Sequence, residues 1–91
     1  MLTSQDVASA RFPVVKWREG YEIDEVGAFL GQVSETLAAY ESRRPASQPV
    51  TSAGVADVRF HPTKFREGWD QDAVDDFLRQ IVATLYSYEA S

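Results

Sequence analysis

The chain contains no cysteine, which removes disulfide staples, thiolate nucleophiles and soft-metal cages from consideration. Histidine occurs once, as His61, and a lone histidine without companions offers neither a catalytic relay nor a metal cage. Positive charge is scarce: nine Lys and Arg face fourteen Asp and Glu, for a net charge of -5 at pH 7. That balance argues against the dense basic face of a nucleic-acid-binding protein. No stretch approaches the roughly twenty apolar residues of a membrane span, and the N-terminus carries no basic segment ahead of an apolar run. The expectation is a cytoplasmic protein. The serines lack a nucleophile elbow or an adjacent base, and Gly20 and Gly68 are solitary rather than parts of a phosphate cradle. Asp70, Asp72, Asp75 and Asp76 do not form a calcium loop, because the sixth position is not glycine and Ile81 stands at the twelfth. They read as the acidic start of a helix. Nothing here specifies an enzyme, a cofactor or a metal.

What the chain does have is a repeat. Lys16-Trp17-Arg18-Glu19-Gly20-Tyr21 returns as Lys64-Phe65-Arg66-Glu67-Gly68-Trp69, at a constant offset of 48 positions. The same offset pairs Phe12 with Phe60, Asp24 with Asp72, Val26 with Val74, Phe29 with Phe77, Leu37 with Leu85 and Tyr40 with Tyr88. Roughly half the aligned positions are identical, so this is an internal repeat. Residues 1–44 form the first unit, 45–50 a linker and 51–91 the second, together one small domain.

In each unit a short lead helix opens the text, with Thr3 or Ser4 as N-cap in the first. Residues 11–16 and 58–64 read as extended connectors, because Pro13 and Pro62 bias their predecessors away from helix. A glycine turn follows, where Gly20 and Gly68 supply positions that tolerate positive φ. The main helices come next, the first from about Glu22 to Glu41 and the second capped by Asp70. Val26, Phe29, Leu30, Val33, Leu37 and Tyr40 make one apolar stripe; Val74, Phe77, Leu78, Ile81, Leu85 and Tyr88 make its match, widened by Val82. Tyr21 and Trp69 are expected to staple onto the first turn of their helices. From Ser42 to Val50 the text is Arg, Pro, Ala, Ser, Gln and Pro without apolar periodicity, and parallel main helices would require the chain to return about 30 Å. The fold class expected is all-α: two lead-loop-helix units whose main helices pack as a pseudo-twofold pair or coiled-coil-like bundle, within one chain or between two.

The residues just named also carry a resemblance. Leu2 to Val7 ahead of Phe12, the basic-aromatic loop, Gly20-Tyr21, and Glu25-Val26 through Phe29-Leu30 resemble the N-terminal domain of the DivIVA family of bacterial cell-division and polar-growth proteins. The second copy keeps Asp70, Val74-Asp75 and Phe77-Leu78, with Trp69 for the tyrosine and Ala73 for the glutamate. The first has Gly27 where the family has an acid, and the long coiled coil of typical members is missing. The resemblance implies a parallel pair of such domains and a non-enzymatic adaptor working through contacts with division or cell-wall proteins. It also implies that the aromatic-basic loops serve membrane attachment, which makes Lys16, Trp17, Arg18, Lys64, Phe65 and Arg66 candidates for contact with an anionic membrane at its inner face. The residues themselves leave two readings open. Either the rings project toward lipid, or they fold back as core while the arginines pair with acids. A purely structural oligomerisation module is the alternative function.

Overall fold

The computed structural model describes residues 1–91 and is a mixed α/β fold rather than the all-α one expected. Its elements in order are α1 (Ser4–Ala8), β1 (Val14–Val15), β2 (Gly20–Tyr21), α2 (Ile23–Glu41), α3 (Ser52–Asp57), β3 (Pro62–Thr63), β4 (Gly68–Asp70) and α4 (Gln71–Glu89). The four strands form one antiparallel sheet in the order β1-β4-β2-β3. Every ladder in it joins one repeat to the other: Val14 pairs with Trp69, Gly20 with Asp70 and Gly20 with Thr63. Strands of two or three residues show no readable alternation, and the partner that satisfies their backbone lies in the other repeat. The segments taken for plain connectors therefore hold the sheet.

The sheet explains the repeated glycines differently from the turn chemistry expected of them, since no glycine in the chain has positive φ. A Cβ on Gly20 would stand 2.7 Å from the Trp69 carbonyl oxygen and 2.8 Å from Val15 Cγ2. One on Gly68 would collide with Thr63 Oγ1 and lie 2.9 Å from the Tyr21 carbonyl oxygen. Each glycine is required because a strand of the other repeat passes directly over it. Thr63, buried at the place Val15 holds in the first repeat, keeps its hydroxyl without a hydrogen-bond partner there.

Local chemistry sets the helix ends. Thr3 and Asp6 form a reciprocal capping box on α1, with Thr3 Oγ1 accepting from the Asp6 amide at 3.1 Å and Asp6 Oδ2 from the Thr3 amide at 3.0 Å. Thr51 caps α3 alone, because Gly54 brings no carboxylate. Asp70 caps α4 through the Ala73 amide at 3.1 Å. At the end of α2 the amides of Arg43 and Arg44 donate to the carbonyls of Tyr40 and Ala39, and Arg43 has φ 54°. This is a Schellman ending with arginine where glycine is usual.

The two main helices run parallel. Their N-terminal ends leave adjacent strands, while Tyr40 and Tyr88 stack at their far ends with ring centroids 4.7 Å apart and planes at 7°. Each lead helix descends along its own main helix: Ser4 bonds Glu41, Ser52 bonds Glu89, and both chains then arrive at the sheet. Because α2 ends where α3 must begin, the linker does not make the 30 Å return; α3 and the strand after it do. The Val50 amide donates to Thr36 Oγ1 at 2.9 Å and the Leu2 amide to Thr84 Oγ1 at 3.2 Å, tying each repeat's start to the other repeat's main helix.

One core results, built from Val7, Val26, Leu30, Val33, Leu37, Val55, Val74, Ile81 and Leu85. Phe29, Leu78, Tyr40, Phe77 and Tyr88 of the expected stripes pack against it half-buried. Phe60 lies edge-on between Tyr21 and Phe29, at 5.5 and 5.8 Å, and Phe12 between Trp69 and Phe77, at 5.7 and 5.6 Å. Tyr21 and Trp69 thus staple onto the opposite repeat rather than onto their own helices. The repeats pair within one chain.

Candidate functional site: two aromatic-basic loops beside the helix N-termini

The loops Lys16–Glu19 and Lys64–Glu67 join strands that run in the same direction with a strand of the other repeat between them. Each loop therefore bridges over its neighbour, and its tip is held away from the core. Trp17 is 77% exposed and Phe65 66% exposed. Phe65 also has φ 61°, in the left-handed region that costs a non-glycine residue about 1 kcal/mol or more.

The arginines behave otherwise. Arg18 Nη2 lies 2.7 Å from Asp70 Oδ1, and Arg66 Nη2 lies 2.7 Å from Glu22 Oε2. Asp70 and Glu22 are the N-cap residues of α4 and α2, so each loop is braced on the main helix of the other repeat. Both tips consequently sit at the same end of the molecule. The buried Asp70 Oδ1 has no hydrogen-bond partner of ordinary geometry, leaving the Arg18 guanidinium as its compensation. Neither sequence reading holds whole: the rings project as one required, and the arginines pair with acids as the other required.

Lys16 and Lys64 make no ion pair, and their ammonium groups lie 5.4 and 5.6 Å from the ring centroids of Trp17 and Phe65. Glu19 and Glu67 are exposed and likewise unpaired. With each arginine matched by an N-cap acid and each lysine by a glutamate, the tips carry little net charge. The turn glycines Gly20 and Gly68 are buried under the crossing strands and present no surface. The helix-packing residues from Val26 to Tyr40 and from Val74 to Tyr88 meet in the core and belong to the scaffold.

Two polar pairs were not legible in the sequence. His61 finds Glu25 of the other repeat: its amide donates to Oε1 at 2.8 Å and its Nδ1 lies 2.6 Å from Oε2. The amide bond foremost, with the ring bond added, holds the Glu25 carboxyl below its ordinary range. Tyr21 donates its hydroxyl to Asp75 Oδ1 at 2.8 Å. Burial first, and then that hydrogen bond to an anion, push the Tyr21 phenol up to about 12. Only the topology brings these groups together, since each pair spans the two repeats. No three His, Asp or Glu side chains converge as a metal cage would require. No helix is long and apolar enough to cross a membrane.

Compared with known proteins, the chain matches no family model, no curated protein and no solved structure.

Proposed function

We propose that this chain is a non-enzymatic, DivIVA-like adaptor of bacterial cell division or polar growth. It binds division or cell-wall proteins and holds to the anionic inner face of the cell membrane through its two aromatic tips. The observation that supports this most is the pair of exposed rings, Trp17 at 77% and Phe65 at 66%, braced at one end of the molecule, whereas Tyr86, as exposed as Phe65, is a single ring on α4 with no counterpart in the other repeat. Inserting such a ring into the acyl boundary yields about 2–3 kcal/mol, whereas a lysine near an anionic surface adds about 1 kcal/mol. The glutamate in each loop offsets part of the latter. Ring insertion therefore governs attachment, and the lysines select anionic lipid.

The test is co-sedimentation with vesicles of phosphatidylglycerol and phosphatidylethanolamine. The wild type binds, Trp17→Ala with Phe65→Ala loses at least tenfold in affinity, and the Lys16→Gln with Lys64→Gln pair loses less. Wild-type protein that stays in the supernatant at every anionic-lipid fraction removes the membrane role. The arginines are poor choices for this test, because Arg18→Ala strands the buried Asp70 carboxylate and perturbs the scaffold.

A further inference from the structure

The repeat builds the same groove twice, and the two copies differ. One lies between α3 and α4, floored by Val55, Phe60, Leu78 and Val82, with a volume of 520 Å³. Its counterpart lies between α1 and α2, floored by Val7, Phe12 and Leu30, with a volume of 300 Å³. Trp69 fills the smaller groove where the larger has Tyr21, and Gly27, Gly31 and Ser34 stand where the larger has Asp75, Arg79 and Val82. In the smaller groove an indole over glycines narrows the cavity without closing it. Both grooves have apolar floors; the larger has more room and carries Asp75 and Arg79 on its edge where the smaller has the two glycines.

The rim charges have little to do within the fold. Arg59 Nη1 donates only to the adjacent Val58 carbonyl, at 2.9 Å, as Arg11 beside the smaller groove does to Ala10; what the larger groove adds is a second guanidinium, Arg79, where the smaller has Gly31. Arg79 pairs only with Asp76 on its own helix, and the two side chains are 72% and 71% exposed, an arrangement worth little in water. Arg18 and Arg66, by contrast, are tied to the acids that cap the main helices. Asp75 is already engaged by the Tyr21 hydroxyl. Two guanidiniums thus flank an open apolar cavity on a chain whose net charge is -5. Guanidinium forks are matched to carboxylates.

We infer that the α3–α4 groove binds an acidic peptide segment of a partner protein, an apolar side chain of the peptide entering the cavity while a neighbouring carboxylate bridges Arg59 and Arg79. The inference rests on the adaptor reading for its expectation of a protein partner, but it uses neither Trp17 nor Phe65. The probe is a hexapeptide with one leucine and one phenylalanine set between glutamates, titrated into the ¹⁵N-labelled full chain. A peptide with lysines in place of the glutamates is the control. Saturable amide shifts are expected at Val55, Phe60, Leu78 and Val82, and none at Val7, Phe12, Leu30 and Ser34. The lysine peptide leaves the spectrum unchanged. Arg79→Glu, on an exposed helix face, keeps the native spectrum and weakens binding at least tenfold. Four results would overturn the inference: no saturable shift, equal shifts in both grooves, equal binding of the lysine peptide, or concentration-dependent shifts at the same amides without peptide. The last would mean that a second copy occupies the groove. Vesicle binding by Arg79→Glu, read separately, stays at the wild-type level if the membrane role holds, so the two proposals fail independently.

Discussion

Tyr21 and Trp69 occupy the same place in the two repeats, yet only Tyr21 carries a hydroxyl, and only its repeat partner offers an acid, Asp75, to receive it. The pair makes stability depend on pH in a stated direction. The folded-state phenol is raised from the ordinary 10 to about 12, so the unfolded chain releases this proton first. The stabilisation is complete below pH 10 and is lost as the pH climbs toward 12. Tyr21→Phe should cost about 1.5–3 kcal/mol at neutral pH, the range for a hydrogen bond to a charged group. Urea denaturation across that alkaline window should show the wild type losing more stability than the variant. Parallel losses would mean that the hydroxyl does not bind Asp75. Glu25 has the opposite sign: its lowered carboxyl contributes above the ordinary carboxylate range, and that contribution is lost on acidification.

The main helices were legible because they carry their own signal. Val26, Leu30, Val33 and Leu37, like Val74, Ile81 and Leu85, stand at helical spacing and are buried in the core, and Asp70 caps as its residue type and position require. The strands were not legible, because Val14–Val15 and Pro62–Thr63 are too short to show alternation and owe their conformation to partners in the other repeat. For the same reason Gly20 and Gly68 were visible as required glycines but not as crossing points. The rings at the loop tips were visible as candidates, but whether they face solvent depends on the bridging of each loop over a foreign strand. A further element-level detail is the end of α2, where Arg43 takes the left-handed position of the Schellman turn. Arg43→Gly should relieve that conformation and stabilise the protein by about 0.5–1 kcal/mol, read as a higher denaturation midpoint at unchanged slope. An unchanged or lower midpoint would mean that the turn is not formed as described.

At the scale of the whole molecule, the repeats are interlocked rather than merely stacked. The sheet contains no ladder within a repeat, each connector phenylalanine packs between two aromatics of the other repeat, and the start of each unit is tied to the opposite main helix. A single repeat keeps none of these partners. The chain therefore builds a parallel pair of units from its own two repeats, whose two grooves differ in size and lining. Paired tips at one end and the larger groove on the flank are the surfaces proposed above for membrane and partner.

The most direct test of this architecture is solution mass by light scattering over a concentration series, on the full chain and on residues 1–44. The full chain is expected at 10.2 kDa at every concentration, and the single repeat as a folded dimer or an unfolded monomer. A full chain of twice that mass, or a folded monomer of residues 1–44, would contradict this architecture.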